Sequence, residues 1–343
     1  MMNVNKLTAA LLATTGLAVT SAYADTDVTV YGKLNVTAEN VDNGDDSTAK
    51  LNSNASRLGF KGKTGLTEST SVIYKMEYEV AVDDGDTKDG NAFKQRNIYI
   101  GLTGDFGTVF AGNHDTALKL SQNKVDVMND LNGGDMKNVL VGETRAKNII
   151  NYTTPSYSGF SATIQPILNE GDNITGEDGD KEDGFFDSFS SSVNWENDSF
   201  YVALAHDNNV ATKSALEHDA FDNTRLVAQY KIAALTFGAL YQVSDYQGVD
   251  ASNLNEDSFT GYLVSAAYKI NKQWKVYGQV GQSDMPIEYV DTDKNEQYGI
   301  GVDYNFSKAT KVFGFYNSLE ATENVSNNKE ELDVLGLGLQ HKF

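Results

Sequence analysis

The chain has 343 residues, no cysteine and a formal net charge of −21, and hydrophobic residues make up only 40% of it. This excludes disulfides and thiolate chemistry, and so acidic a surface argues against a nucleic-acid partner. With 18 Tyr, 16 Phe, 30 Gly and 3 Pro, and no Pro- or Ser-rich linker, it reads as one domain of strands and tight turns.

Met1 to Lys6 gives a short positive start, Leu7 to Thr20 an apolar run too short to span a bilayer, and Ala22-Tyr23-Ala24 a small-x-small cleavage site. Residues 1–24 are expected to be a cleaved signal peptide and residues 25–343 the mature domain. Removing 1–24, which hold one Lys and no acid, takes the charge from −21 to −22. No later segment approaches twenty apolar residues, so a membrane crossing would have to be made by a closed barrel of strands.

From Asp27 the chain alternates with period two. Val28, Val30, Leu34 and Val36 oppose Thr29, Tyr31, Lys33, Asn35 and Thr37; Leu58 and Phe60 oppose Arg57 and Lys61. Val72, Tyr74, Met76, Tyr78, Val80 and Val82 oppose Lys75, Glu77 and Glu79. Each segment is about ten residues, the length a tilted strand needs to cross a bilayer. Ile98 and Ile100 fall on the Arg96 face, where they are expected to cover apolar residues of an inbent loop.

Between Asp115 and Glu143 the rhythm stops. That stretch carries Lys119, Lys124, Asp126, Asp130, Asp135, Lys137 and Glu143, a Gly133-Gly134 pair, and apolar anchors Leu118, Leu120, Val125, Val127, Met128 and Leu131. Compact domains rarely keep so long an irregular connection without a use for it, and it is expected to fold into a barrel and narrow a channel.

The alternation then returns. Phe160, Ala162 and Ile164 oppose Ser161, Thr163 and Gln165; Leu226, Ala228, Tyr230 and Ile232 oppose Arg225, Gln229 and Lys231; Leu235, Phe237, Ala239, Tyr241 and Val243 oppose Thr236 and Gln242. Tyr298, Ile300, Val302, Tyr304 and Phe306 stand against Gln297, Asp303 and Asn305. Short connections near 63–65, 103–105, 155–158, 197–198, 233–234, 271–273 and 307–309 alternate with long acidic ones near 40–51, 83–90, 115–143, 170–184, 207–220, 247–257, 284–293 and 321–330. Seven short and eight long connections join sixteen strands, the plan of an outer-membrane barrel with turns in the periplasm and loops outside. Trp195, Phe200, Tyr230, Tyr268, Trp274, Tyr304 and Phe306 gather beside the short turns as an interfacial girdle. The last strand alternates Leu335, Leu337, Leu339, His341 and Phe343 with Gly336, Gly338, Gln340 and Lys342; a terminal Phe343 looks like the signal read by Gram-negative barrel-assembly machinery.

These residues resemble the Gram-negative general porins. The likeness rests on Val30-Tyr31-Gly32-Lys33-Leu34, Ser56-Arg57-Leu58-Gly59-Phe60-Lys61-Gly62, Arg96-Asn97-Ile98-Tyr99-Ile100-Gly101-Leu102 with Gly104 to Thr108, and Arg145 with Asn148 to Tyr152. The resemblance implies an all-β, 16-stranded antiparallel transmembrane barrel, a homotrimer in the outer membrane, and a third external loop that folds inward. It also implies a basic wall at Lys33, Arg57, Arg96 and Arg145, and an acidic loop role, assigned here to Asp126 and Asp130, with Asp135 tying the loop to the wall. Enteric members carry Pro-Glu-Phe-Gly-Gly-Asp in that loop, whereas here only Gly133-Gly134-Asp135 matches. Opposed acid and base across a watery gap orient water and disfavour apolar solutes, and fixed charges set ion preference.

Other chemistry has little support. The acidic run Glu177 to Gly184 lacks the spacing of a twelve-residue calcium loop and is expected to be a solvated acidic loop, with loose Ca²⁺ or Mg²⁺ bridging to lipopolysaccharide phosphates as the alternative. The four histidines show no metal-ligand spacing and no Gly-x-Ser-x-Gly occurs, so neither a cofactor nor a hydrolase is expected. The expected function is passive diffusion of small hydrophilic solutes and ions with weak cation preference. A substrate-specific channel and a non-conducting structural or adhesin barrel are the alternatives.

Overall fold

The computed structural model of the protein describes residues 27–86, 91–170, 184–212, 214, 220–247, 258–287, 292–323 and 328–343. The expected signal peptide and residues 177–183 of the acidic run lie outside the described residues. Strands dominate the regular structure. The first are β1 (Asp27–Asp42), β2 (Ser47–Ser53), β3 (Arg57–Gly65), β4 (Thr70–Glu79), β5 (Lys94–Gly104) and β6 (Gly107–Asp115). A short helix α1 (Ala117–Ser121) and a 3₁₀ turn (Met136–Asn138) follow, then β7 (Arg145–Thr153), β8 (Phe160–Ile167), β9 (Ser188–Glu196), β10 (Phe200–Ala211), β11 (Ala220–Ile232) and β12 (Leu235–Tyr246). The chain finishes with β13 (Ser258–Lys269), β14 (Trp274–Ser283), β15 (Thr292–Asn305), β16 (Thr310–Glu323) and β17 (Lys329–Lys342). No helix among the described residues is long and apolar enough to cross a membrane, which says nothing of crossing by strands.

The pairings are antiparallel, and β17 returns to β1 with Lys33 opposite Lys342 and Asp42 opposite Asp333. Segments β2 and β3 are halves of one span: β2 takes the Val36–Asp42 edge of β1 and β3 takes Asp27–Lys33. The seventeen segments of the described sheet thus form a closed barrel of 16 strands. Closure leaves no sheet edge with unpaired backbone groups, the condition for a sheet to stand in hydrocarbon.

The two faces of that sheet differ as period-two patterning requires. Leu226, Tyr241, Val264, Val280, Tyr298, Leu335 and Leu337 are exposed outward, while Arg225, Gln242, Ser265, Gln279, Gln297 and Asn317 on the opposite, polar face are buried. Aromatics pair beside the short turns: Phe200 stacks on Tyr230 with centroids 4.5 Å apart, and Trp274 meets Tyr304 at 4.9 Å. Tyr304 in turn meets Phe306 at 5.0 Å.

Two expectations from patterning fail for identifiable reasons. The first connection is not long: β1 runs on to Asp42 and β2 begins at Ser47. The turn between them is closed by side chains, with the Gly44 amide donating to Asp42 Oδ1 at 2.9 Å and the Asp46 amide to Asn43 Oδ1 at 2.8 Å, while Gly44 takes φ +87°. Asn-Gly is a turn signal, and the acids around it hid a hairpin.

Ile98 and Ile100 do not share the face of Arg96. Between the pairs Met76–Ile98 and Tyr78–Gln95 the register shifts, so Arg96 and Asn97 oppose Glu77 alone. Such a bulge resets the alternation. Arg96 and Asn97 both bond to groups on the polar face, while Ile100, 64% exposed, joins the outward side with Met76 and Leu102.

Phe343 fixes the closing seam. Its amide donates to the Gly32 carbonyl at 3.1 Å and its carbonyl accepts from the Gly32 amide at 2.9 Å. A Cβ at Gly32 would lie 2.9 Å from the Arg57 carbonyl oxygen and closer still to the Phe343 ring. Gly32→Val is expected to destabilise the barrel by about 1–3 kcal/mol, the usual cost of overpacking. The folded, fast-migrating gel band should convert to the unfolded one at a lower temperature than in the native protein.

Candidate functional site

The irregular segment 116–144 begins where β6 ends. The Thr116 hydroxyl accepts from the Lys119 amide at 3.2 Å and caps α1. The segment then runs across the polar face, meeting wall side chains strand by strand. Gln165 Oε1 accepts from the Ala117 amide at 2.6 Å and Ser190 Oγ from the Leu118 amide at 3.1 Å. Gln279 Oε1 accepts from the Val127 amide at 2.8 Å and its Nε2 donates to the Gly134 carbonyl at 2.7 Å. Asn317 Nδ2 donates to the Asn132 carbonyl at 2.8 Å, and Asn132 Nδ2 to Glu39 Oε2 at 3.1 Å. Backbone groups with no helix or ladder of their own are thus satisfied by polar wall residues, as buried amides require.

The centre of this attachment is Arg225, which has no exposed surface. Its Nη1 meets Glu143 Oε1 at 2.8 Å and the Leu118 carbonyl at 3.3 Å, its Nη2 the Val141 carbonyl at 3.4 Å, and its Nε donates to Gln242 Oε1 at 2.7 Å. One guanidinium therefore holds both ends of the segment. Beside it lies an apolar seat: Val125, Met136, Val139, Leu140 and Val141 pack with Phe221, Val227, Leu240 and Leu263 of the wall. These wall residues give the segment's apolar anchors the cover expected of Ile98 and Ile100. Two glycines make room, since a Cβ on Gly261 would lie 2.5 Å from Leu140 and one on Gly281 3.1 Å from Val139.

The sequence-expected site residues separate into those brought together and those not. Asp130, at φ +68°, reaches Lys33 Nζ at 2.8 Å and Arg57 Nη2 at 3.6 Å. Burial pushes the Asp130 carboxyl up, and the charges of Lys33 and Arg57 outweigh it, so it titrates below the usual carboxylate value. Arg96 pairs instead with the wall, at 3.0 Å to Glu77 and 2.8 Å to Glu79. Arg145 meets Asp115 at 3.0 Å and donates to Asn97 Oδ1 at 2.7 Å.

Asp126 and Asp135 turn inward on the segment. The Asp126 carboxylate accepts from the Met128 and Met136 amides, both at 3.0 Å. Asp135 accepts from the Asp130 amide at 3.0 Å and pairs with Lys137 at 3.4 Å, so its bonds organise the loop and its tie to the wall runs through its neighbours. Burial, then the nearby Asp135 carboxylate, push the Asp126 carboxyl well above the ordinary range.

Sequence reading missed Glu77, Glu79, Asp115 and Arg225. Glu77 is the hub of the wall, accepting from Tyr31 at 2.8 Å as well as from Arg96, with Lys75 at 3.3 Å and Arg57 at 3.9 Å. Its signal was present, because Glu77 and Glu79 alternate with Lys75 on the polar face. Beside this array lies a cavity of about 1140 Å³ lined by acids including Glu79, Asp83, Asp115 and Asp130 and by Arg57, Arg96, Lys119 and Arg145.

The family model for Gram-negative porins matches residues 8–324. The chain belongs to the Gram-negative porin family. It is 27% identical over 303 residues to the major outer membrane protein P.IB of Neisseria meningitidis serogroup B, covering 84% of this chain and 83% of that one. Its identity to the protein of that name from Neisseria sicca is 28% over 363 residues, 95% and 98% of the two chains. Among solved structures, the anion-selective porin from Comamonas acidovorans superposes with TM-score 0.70 at 22% identity, covering 93% of this chain and all of that one (100%). Salmonella typhi OmpF superposes with TM-score 0.68 at 18% identity over 92% of this chain and 97% of that one. This porin is accordingly a β-barrel of the Gram-negative outer membrane, with the fold and family of channels rather than enzymes.

Two outcomes follow from the attachment of segment 116–144. Arg225→Ala strands a buried Glu143 and should cost about 3–5 kcal/mol, whereas Arg225→Met with Glu143→Leu should recover much of it. Thermal unfolding and limited proteolysis of the segment measure both. For Asp126 the raised value means that charge on it opposes docking, so docking should tighten as pH falls from neutrality towards the ordinary carboxylate range. Protease cleavage within 116–144 should slow over that interval, and Asp126→Asn should flatten the dependence.

Proposed function

We propose that this porin is a homotrimeric general diffusion channel for small hydrophilic solutes and ions. In this reading the polar face lines a water-filled lumen, and segment 116–144 folds inward to narrow it. The observation that carries it is the meeting of Asp130 with Lys33 and Arg57, which sets an acid on the loop against bases on the wall. With Arg96 and Arg145 held in register beside them, charge of both signs lines one passage, and a transverse field of that kind favours dipolar solutes over apolar ones.

Weak cation preference is the second part of the proposal. The cavity beside the array is lined by Glu79, Asp83, Asp84, Asp86, Asp115, Asp130, Asp135 and Glu143 against Lys50, Arg57, Arg96, Lys119, Lys137 and Arg145, an excess of acid. The anion-selective porin of Comamonas acidovorans shares the fold at 22% identity, which leaves lumen charge to set preference here. A trimer accords with the trimer form solved for Vibrio cholerae OmpT, which superposes with TM-score 0.62 at 16% identity. The outward apolar band meets outer-membrane lipid and lipopolysaccharide, and β17 with Phe343 is what the barrel-assembly machinery reads.

Reversal potentials across a planar bilayer in a KCl gradient test the proposal. The native channel is expected to prefer potassium, and Asp130→Asn should lower the potassium-to-chloride permeability ratio by roughly twofold. Chloride preference in the native protein would overturn the charge argument.

A further inference from the structure

The polar face is charged differently at its two ends. At the short-turn end, beyond Glu77 from the cavity just described, it carries a band of lysines. Lys75 pairs with Glu77 at 3.3 Å, and Lys275 and Lys311 flank Asp303 at 3.1 and 3.0 Å. Lys61, Lys63, Lys231, Lys269 and Lys342 stand on the same face by strand parity and have no ion-pair partner among the described residues. The other strand acids on that face and end are Asp27, opposite Lys63 in register, and Glu196, opposite Tyr201, and the short turns add Glu68, Asp105 and Asp198 against Lys272 and Lys308. Lysine remains in excess.

Aromatic rings seat several of these amines. Lys61 and Lys75 Nζ lie 5.4 and 5.8 Å from the centroid of the Tyr31 ring, Lys275 4.2 Å from Tyr277 and Lys311 4.7 Å from Phe313. A ring face holds an ammonium in place without consuming its N–H donors. Lysine, a compact hydrated point charge on a flexible stem, suits loose and exchangeable binding of anions of varied shape. The fixed bidentate grip of arginine is kept for the loop and the wall beside it.

We propose that the short-turn end of the lumen is a binding vestibule for small polyanions, solutes carrying several phosphate or carboxylate groups, and that it makes the channel respond unequally from its two ends. The proposal rests on the channel reading above. A polyanion entering from the short-turn side meets lysine first and is concentrated there, whereas one entering from the loop side must first cross the acid-rich cavity.

The test is block of ion current in planar bilayers by tripolyphosphate or by citrate, added to one side at a time at low salt. The chain has no cysteine, so Lys308→Cys in a short turn takes a biotin label, and streptavidin then reports the orientation of each channel. Half-block is expected at about tenfold lower concentration from the short-turn side, the order of effect that focused charge produces. Replacing Lys61, Lys63, Lys231 and Lys269 together by Gln should bring the two sides within about twofold of each other, and replacing the same four by Arg should retain the asymmetry. Response to both probes, or to one alone, supports the vestibule and identifies which anionic group it holds. Equal sensitivity from the two sides in the native channel overturns the proposal whether or not the variants insert, as does an asymmetry that survives the Gln variant. Absence of any current would instead contradict the channel reading itself.

Discussion

In hydrocarbon an unpaired backbone amide has nothing to bond, and the rest of this structure depends on the pairing of β1 with β17 that meets that demand. Ten residues of β1, Lys33 to Asp42, pair in register with Lys342 to Asp333, and the Gly32–Phe343 bonds continue the seam past the last ladder pair. Once the sheet is closed its side chains have two destinations. The apolar rows that would force a soluble sheet to aggregate become the surface presented to lipid, and the polar rows enclose a hollow.

A closed polar cylinder does not by itself select what passes. Segment 116–144 departs from the strand plan, and its docking draws on two kinds of interaction. Val227, Leu240 and Leu263 interrupt the polar face and give Val125, Val139 and Leu140 a dry seat, while Arg225, Gln242 and Gln279 satisfy backbone groups that would otherwise be buried unpaired. Both are needed: a polar wall alone offers the loop no gain over water, and an apolar wall alone would leave its amides without partners. Positioned this way, the segment offers Asp130 to Lys33 and Arg57, and the four arginines of the chain, Arg57, Arg96, Arg145 and Arg225, all face the same side.

Much of this was legible in the sequence because a two-residue period leaves a plain record. The strands, their outward faces and the aromatic clusters follow from alternation and from the family motifs. What patterning could not show depends on the neighbouring strand. The bulge opposite Glu77 is a property of two strands in register, so simple parity puts Ile98 and Ile100 on the face they do not occupy. Val227 and Leu240 interrupt a wet row, and only the docked loop shows what they cover. Asp126 carries the same side chain as Asp130, and only the fold shows that its carboxylate is bound to the Met128 and Met136 amides.

The central claim is that the polar interior is an open, hydrated path narrowed by the docked segment. Single-channel conductance of the purified protein in planar bilayers tests it most directly. Discrete current steps that rise in proportion to bulk salt conductivity, and grow when residues 116–144 are shortened to a tight turn, are the expected result. A correctly folded barrel that passes no current, or whose conductance is indifferent to that deletion, would contradict the account.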